Sequence, residues 1–313
     1  MNYRKYTQES INVSEIGFGG WQLGINSGWK GMSEQDAIDL VRHALDAGVN
    51  FFDTAPNYGY GTGEIRLGKG LKGVDREKIV VNTKFGHTNE GDTNFDANYI
   101  RTSLEGSLKR LQMDYVDSLI IHNPPFEYLD GNNNNHYEIL ENLKEEGKIK
   151  AYGASLDTYE EMKLLLETTE SKVVEVFFNI LFQDVSRGFN MAQDKDVAII
   201  VKIPLDSGWL TGKYNENSSF EGVRSRWSVS DIKTRAGLVK KIKEILPNDL
   251  NIIQAALRFC LAYDAVSTVI PGNTTIQQLT ANLKCAEEEL QDNLVRELED
   301  FYLTEIKALN LPW

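Results

Sequence analysis

Four polar side chains that could handle protons directly follow or end short apolar stretches of the sequence, as residues at the ends of buried strands do. Asp53 and Tyr58 follow the stretch 49–52, Lys84 ends the stretch 79–84, and His122 ends the stretch 116–122. If the three strands lie side by side and parallel, their carboxyl ends open onto one pocket, where the catalytic groups of α/β barrels collect. The leading hypothesis is therefore a proton-transfer site.

The four residue types suit the delivery of a proton to a carbonyl group. The phenol of Tyr58 has an ordinary pKa of about 10, which a nearby ammonium such as Lys84 would favour in its ionised form. Asp53 would pair with Lys84, and His122 could hold a carbonyl oxygen beside the phenol. Reduction also needs a hydride donor, and a nicotinamide cofactor is the economical choice because the sequence shows no flavin or metal motif.

The elements that must position these residues alternate along the chain. Eight strands are predicted over residues 13–21, 49–52, 79–84, 116–122, 149–154, 173–178, 197–203 and 267–270. Helices are predicted over residues 33–48, 63–71, 96–111, 137–146, 159–167, 186–192, 231–245, 251–262, 275–286 and 292–309. Such alternation implies parallel strands joined by right-handed crossovers, and eight units close a barrel. We therefore expect an α/β fold, a (β/α)8 TIM barrel that forms a single domain over residues 1–313 and ends in a C-terminal helix.

Composition limits the classes of partner. The net charge of −13 among 313 residues disfavours nucleic acid and anionic membranes. The polar start lacks a signal peptide and no apolar run is long enough to span a bilayer, so we expect a cytoplasmic protein. Cys260 and Cys285 lack metal-ligand spacing, and both are expected to be reduced. The expected partner is a small-molecule carbonyl substrate, and the sequence leaves the oligomeric state open.

Several motifs resemble those of the aldo-keto reductase superfamily over nearly the whole chain. They are Asp53-Thr54-Ala55-Pro56-Asn57-Tyr58-Gly59 with Gly63-Glu64, Ser107-Leu108-Lys109-Arg110-Leu111 before Asp114-Tyr115-Val116-Asp117, Ile121-His122-Asn123-Pro124, and Ile270-Pro271-Gly272. The resemblance implies a (β/α)8 barrel and a catalytic tetrad of Asp53, Tyr58, Lys84 and His122, with Tyr58 as the general acid. It also implies NADPH as the usual hydride donor.

The same resemblance implies where the cofactor binds. Ser155 would hold the carboxamide, the loop 205–213 would cover the pyrophosphate, and the helix after Gly272 would meet the adenosine phosphate, where its N-terminal amides favour an anion. The predicted cofactor-binding residues are Gly20, Trp21, Ser155, Glu175, Asn179, Lys202, Pro204, Leu205, Ser207, Gly208, Leu210, Lys213, Arg224, Gly272, Thr274, Gln278 and Asn282. No metal ligands are predicted.

Some positions depart from the family pattern. Leu156 stands where Asn is frequent, Glu175 where a Gln binds the carboxamide, and Lys202 where an aromatic ring stacks on the nicotinamide. We predict a Glu175–Lys202 ion pair at the floor of the pocket, because each charge alone would be poorly compensated. Thr274 lies near the adenosine end, where relatives carry Arg or Lys, so NADP is expected with weak discrimination and NAD is also possible.

Other residues admit two interpretations. Aromatic side chains predicted in loops at the pocket face either line a substrate site or only pack; these are Trp21, Trp29, Phe126 and Trp227. Arg224 and Arg226 either reach cofactor phosphates or form surface ion pairs. For the three remaining histidines, a structural role is the stronger interpretation; these are His43, His87 and His136.

Two functions remain open on the sequence. The first is an NAD(P)H-dependent oxidoreductase, an aldo-keto reductase that reduces an aldehyde or ketone, sugars included, to an alcohol. The alternative is a non-catalytic, cofactor-binding regulatory subunit of a larger complex. Turnover of a general aldehyde would favour the enzyme, whereas cofactor binding without turnover in a stable heteromer would favour the subunit.

Overall fold

Eight parallel strands form the centre of the protein in the computed structural model, which describes residues 1–25, 31–222 and 225–312. Neighbouring strands of this sheet follow one another in chain order. They are β3 (Phe18–Gly19), β4 (Phe51–Asp53), β5 (Val80–Phe85), β6 (Val116–His122), β7 (Ile149–Leu156), β8 (Val173–Phe177), β9 (Ala198–Lys202) and β10 (Val266–Ile270).

The sheet closes on itself between its first and last strands. The Gly17 amide donates to the Val269 carbonyl at 2.9 Å, and the Val269 amide donates to the Glu15 carbonyl at 2.8 Å. A further parallel bridge joins Gly19 and Gly272. The predicted (β/α)8 barrel is therefore confirmed.

Helices surround the barrel and alternate with its strands. They are α1 (Glu34–Asp46), α2 (Thr62–Leu71), α3 (Tyr99–Leu111), α4 (His136–Glu145), α5 (Tyr159–Thr168), α6 (Phe189–Asp194), α7 (Val229–Ile245), α8 (Ile252–Leu261), α9 (Ile276–Cys285) and α10 (Asp292–Phe301). Ser33 caps α1 by accepting from the Asp36 amide, as its spacing predicts. Within the described ranges, no helix combines the length and apolar character that crossing a membrane requires.

The first predicted strand is the main difference from the sequence-based prediction. Residues 13–14 form β2, which pairs antiparallel with β1 (Tyr3–Arg4), and only Phe18–Gly19 enters the barrel. Gly20 follows β3 at a close approach of two backbones, since a Cβ there would lie 2.4 Å from the Asp53 carbonyl oxygen. The chain can therefore pass close to the end of β4 and reach the pocket.

A series of hydrogen bonds between described polar side chains crosses the otherwise apolar interior of the barrel. Tyr6, which follows β1, is buried inside the barrel against Phe51, with 5.3 Å between ring centroids. Its hydroxyl bonds the Ser118 hydroxyl at 2.7 Å, and Ser118 donates to the side-chain Oδ1 of Asn82 at 2.6 Å. This chain of hydrogen bonds leads to the carboxyl ends of the strands.

Candidate active site

A cavity of about 690 Å³ opens at the carboxyl ends of the strands. Its size suits a small-molecule or cofactor site, and its position is the usual one for catalysis in such barrels. Tyr58 and His122 line one part of it, which we call the catalytic end, and Gln278 and Asn282 on α9 line another part, which we call the far end. The four residues proposed for proton transfer lie at the catalytic end.

Lys84 and Asp53 form a buried ion pair beneath this cavity. Asp53 lies opposite Asn82 in the strand register, and residues two apart on a strand point to the same side, so Lys84 points into the barrel beside it. The Lys84 Nζ lies 2.5 Å from Asp53 Oδ1 and donates to the Thr54 carbonyl at 3.0 Å. Both side chains are almost fully buried, so the ammonium is held rigidly.

Glu175 is a second carboxylate on the same ammonium. Its Oε2 lies 3.1 Å from Lys84 Nζ, and its side chain is only 3% exposed. The Asn82 amide donates to Asp53 at 2.7 Å and to Glu175 at 3.5 Å, which links the two carboxylates. Burial, followed by the Glu175 charge, raises the pKa of Asp53 to about 7 although Lys84 acts against both. Burial alone would lower the pKa of Lys84, but the two carboxylates outweigh it and raise that pKa.

Tyr58 is placed by a tight turn after β4. A Cβ on Gly59, whose φ is +61°, would lie 2.0 Å from the Gly24 carbonyl oxygen, so only glycine allows this close approach. The Lys84 Nζ lies 5.3 Å from the centroid of the Tyr58 ring. Burial raises the pKa of Tyr58, Lys84 counteracts it, and Asp53 and Glu175 add to the rise. The phenol thus stays protonated at neutral pH. Lys84 acts in the direction that the sequence indicated, but burial outweighs it.

His122 completes the catalytic end of the cavity. Its ring lies 6.0 Å from that of Tyr58, nearly perpendicular to it. Burial, followed by the charge of Lys84, holds the pKa of His122 well below its ordinary value. A neutral imidazole can donate one hydrogen bond to a substrate oxygen without competing for the proton.

His87 also lies at this end of the cavity, next to His122. Its ring centroid is 4.7 Å from that of His122, and burial lowers its pKa. The sequence interpretation as a purely structural histidine missed this proximity. The signal was available in the position of His87 three residues after Lys84, just beyond the end of β5.

Lys202 is bound by a different set of groups from the one predicted. Its Nζ donates to Asn123 Oδ1 at 2.7 Å and to Ser155 Oγ at 2.8 Å, and lies 2.8 Å from Asp157 Oδ1. Glu175 pairs with Lys84 instead. The predicted Glu175–Lys202 ion pair is therefore wrong, because each charge has its own partner from another part of the barrel.

The segment after β9 has a backbone suited to an anion. Residues with positive φ follow closely upon one another, and successive amides in such conformations form anion-binding concavities; they are Ile203, Asp206, Ser207 and Gly208. Asp206 and Arg235 form an ion pair beneath the loop, and both are fully buried. Lys213 and Arg226 add positive charge to the lining of the cavity.

The described residues that line the far end of the cavity, around the start of α9, carry no charge. The Thr274 amide and hydroxyl donate to the Gln278 side chain at 2.9 and 2.8 Å. The Asn282 amide donates to Asn273 Oδ1 at 2.8 Å. Neutral side chains thus bond to one another at the place where the sequence shows Thr274 instead of the Arg or Lys of the family pattern.

The structure brings most predicted cofactor residues to the cavity. Those that line it are Trp21, Glu175, Lys202, Pro204, Leu205, Ser207, Gly208, Lys213, Gly272, Thr274, Gln278 and Asn282. Those that lie behind its wall are Gly20, Ser155, Asn179 and Leu210, all of them buried. Arg224 and Trp29 fall outside the described residues.

The aromatic candidates divide between the two interpretations. Trp21 lines the cavity, whereas Phe126 is exposed outside its lining. Trp227 is buried 5.8 Å from the ring of Trp209 and packs in the core beside the loop after β9. The sequence reasoning missed Asn82 and Asp157. Neither belongs to a recognised catalytic motif, so only their contacts with Asp53 and Lys202 identify them.

The residues present fit a nicotinamide dinucleotide. The lining of the cavity combines a polar wall beside Tyr58, a positively charged loop after β9 and residues at the N-terminus of α9. These features suit a carboxamide, a pyrophosphate and an adenosine phosphate respectively. A parallel α/β barrel with this cavity, a buried Lys–Asp pair and a partly buried Tyr and His belongs to the class of barrel oxidoreductases.

Comparison with known proteins agrees with this class. Residues 15–303 match the Aldo/keto reductase family. The chain is 30% identical to L-galactose dehydrogenase of Arabidopsis thaliana over 97% of its length and 94% of the relative's. It is 27% identical to the NADH-specific methylglyoxal reductase of Escherichia coli, over 93% and 96% of the two chains. The holo form of aldo-keto reductase AKR11C1 from Bacillus halodurans superposes with a TM-score of 0.80 at 28% identity, over 96% of each chain.

The chain therefore belongs to the aldo/keto reductase family. This is a family of oxidoreductases that act on carbonyl compounds and use nicotinamide cofactors.

Proposed function

We propose that this protein reduces the carbonyl group of an aldehyde or ketone, sugars included, with Tyr58 as the general acid. The observation that carries the proposal is the buried Lys84–Asp53 pair, 2.5 Å apart, beneath the phenol of Tyr58 and beside the neutral imidazole of His122. The names of the relatives, which include a sugar dehydrogenase and a methylglyoxal reductase, support this substrate class.

Each residue then has a defined part in the reaction. Tyr58 gives its proton to the carbonyl oxygen, and the Lys84 ammonium stabilises the phenolate that remains. Asp53 and the Thr54 carbonyl hold the ammonium in place. His122 donates a hydrogen bond to the same oxygen and orients the substrate. A reduced nicotinamide, when bound, supplies the hydride that forms the new C–H bond.

We propose NADP as the cofactor, with weak discrimination against NAD. Family resemblance supports the first part of this statement, and the neutral contacts of Thr274 and Gln278 support the second. The NADH-specific relative shows that the family also contains members that use the other cofactor. Lys213 and Arg226 are described cations that follow β9 and line the cavity, and they would bind phosphate oxygens.

The direct test is turnover of a panel of aldehydes, ketones and aldoses with NADPH and NADH, followed by nicotinamide absorbance. Tyr58→Phe should lower kcat by about 10²- to 10⁴-fold because it removes the transferable proton. Cofactor affinity, measured by fluorescence titration, should stay within about twofold of wild type because the ring remains. A variant that keeps more than about a tenth of wild-type turnover would exclude Tyr58 as the acid.

The same panel separates the enzyme from the regulatory subunit that the sequence left open. Cofactor binding without turnover of any compound, together with isolation of the chain in a stable heteromer, would support the subunit. We further propose that residues 1–313 act as one barrel domain in the cytoplasm. Limited proteolysis and cell fractionation test these two statements separately.

A further inference from the structure

Glu175 lies inside the proton-transfer site, although the reaction described above does not need it. Its carboxylate lines the cavity, is 3.1 Å from the Lys84 Nζ and accepts from the Asn82 amide. Lys84 therefore faces two carboxylates within one buried cluster. An ammonium with a single ionised carboxylate partner would leave that cluster neutral. Above the raised pKa of Asp53, where both carboxylates are ionised, the cluster carries a negative formal charge.

Among the described residues, the other charged and titratable groups around Tyr58 do not compensate for this excess. Lys84 from β5 is shared by Asp53 from β4 and Glu175 from β8. His122 from β6 is neutral because burial and the nearby cations lower its pKa, and the half-buried His87 behind it also has a lowered pKa. Lys202 from β9 lies 2.8 Å from Asp157, so its charge is balanced there.

We propose that Glu175 is a positioning residue that offsets the charge of Lys84 and so keeps Tyr58 in its protonated, proton-donating form over a wider range of pH. This inference rests on the proposed function, since it assumes that Tyr58 is the acid. The physical basis is that a nearby carboxylate disfavours a phenolate, while an unopposed ammonium favours it. Glu175 is among the groups that raise the pKa of Tyr58 in this structure.

The sign of the effect follows from the direction of proton transfer. Reduction requires protonated Tyr58, so its kcat/KM falls as pH rises through the pKa of this phenol. Alcohol oxidation requires the phenolate, so its kcat/KM rises through the same pKa. Glu175→Gln removes one negative charge while keeping size and a hydrogen-bond acceptor, and should move both breaks to lower pH by about one unit. The two breaks must move together because one group titrates in both directions.

A readout without turnover follows the phenol itself. Protein labelled with carbon-13 at the tyrosine Cζ is titrated in the absence of cofactor, and the Tyr58 signal is assigned by its loss in Tyr58→Phe. Glu175→Gln should bring the onset of Tyr58 ionisation down by about one pH unit. Glu175→Asp keeps the charge and should stay nearer to wild type, which also covers the case in which the Gln variant folds poorly.

Glu64 provides a matched control. It is fully buried and pairs with Arg110 at 2.6 Å outside the cavity lining, so Glu64→Gln removes a buried carboxylate from elsewhere and should leave both breaks within about 0.3 pH unit of wild type. If Glu175→Gln changes cofactor affinity but moves neither the breaks nor the Tyr58 signal, Glu175 serves only cofactor binding and the inference is wrong. Absence of turnover in wild type, or full activity of Tyr58→Phe, would instead overturn the proposed function.

Discussion

The two ends of the cavity are built in opposite ways. At the catalytic end, charged side chains on barrel strands are almost completely buried and held by several short contacts, as for Lys84 and Asp53. At the far end, neutral side chains at the start of α9 are more exposed and bond mainly to one another, as for Thr274 and Gln278. Groups on rigid strands fix the chemistry, whereas groups at a helix start can be exchanged without disturbing a charged core. Substitutions at the two ends should therefore differ in both size and kind of effect.

The largest expected effect is at the catalytic end, with Lys84→Met. It removes the cation that stabilises the phenolate, so kcat should fall by about 10²-fold or more. It also leaves two carboxylates buried without their partner, so the free energy of unfolding should fall by about 3–5 kcal/mol. Steady-state kinetics measure kcat, and denaturant-induced unfolding measures the free energy of unfolding.

Lys69→Met is the control for this change, because Lys69 pairs with Glu34 at 2.8 Å on the surface. Such exposed pairs contribute at most about 1 kcal/mol, so both quantities should remain close to wild type. If Lys84→Met were as stable and as active as Lys69→Met, the contrast between the two ends of the cavity would have to be abandoned.

A smaller effect is expected at the far end, with Thr274→Arg. The new guanidinium should bind a 2′-phosphate by a charge-assisted hydrogen bond of about 1.5–3 kcal/mol, which corresponds to a tenfold to more than hundredfold gain in NADPH affinity. NADH affinity and kcat should change little, because Thr274 lies just before α9, on a different element from the four proton-transfer residues. Dissociation constants for both cofactors measure the selectivity.

As a control, Thr274→Gln introduces a longer polar side chain without the charge, and the preference between NADPH and NADH should remain unchanged. A wild-type protein that already ignores NADH would show that other cations of the cavity, such as Lys213 or Arg226, recognise the phosphate.

The smallest expected effect is the coupling between Glu175 and Lys202. Because these side chains have separate partners, Lys84 and Asp157, their effects on cofactor affinity should add within about 0.5 kcal/mol in a double-mutant cycle. The variants are Glu175→Gln, Lys202→Met and their combination. A coupling above about 1 kcal/mol would show that the two charges interact when the cofactor is bound.

The fold could be predicted from the sequence because the alternation of apolar strands and capped helices leaves few topologies. The ends of elements were harder: the stretch 13–21 was predicted as one strand, but its residues divide between β2 and β3. For the site, strand ends pointed to Tyr58 and its neighbours, and family motifs pointed to the cavity lining. The partners of Glu175 and Lys202 could not be predicted, because strand number and register do not determine which side chains reach one another inside a barrel.

The closure of the barrel has a consequence for folding kinetics. The hydroxyl of Thr268 donates to the Ser14 carbonyl, and these residues are 254 positions apart in the chain. Contacts of such high sequence separation cost chain entropy when the loop closes, before they contribute to stability, and they therefore slow folding. We therefore expect the seam between β3 and β10 to form late, after the neighbouring strand–helix units. In native-state hydrogen exchange, the amides of Gly17 and Val269 should then exchange through openings smaller than global unfolding.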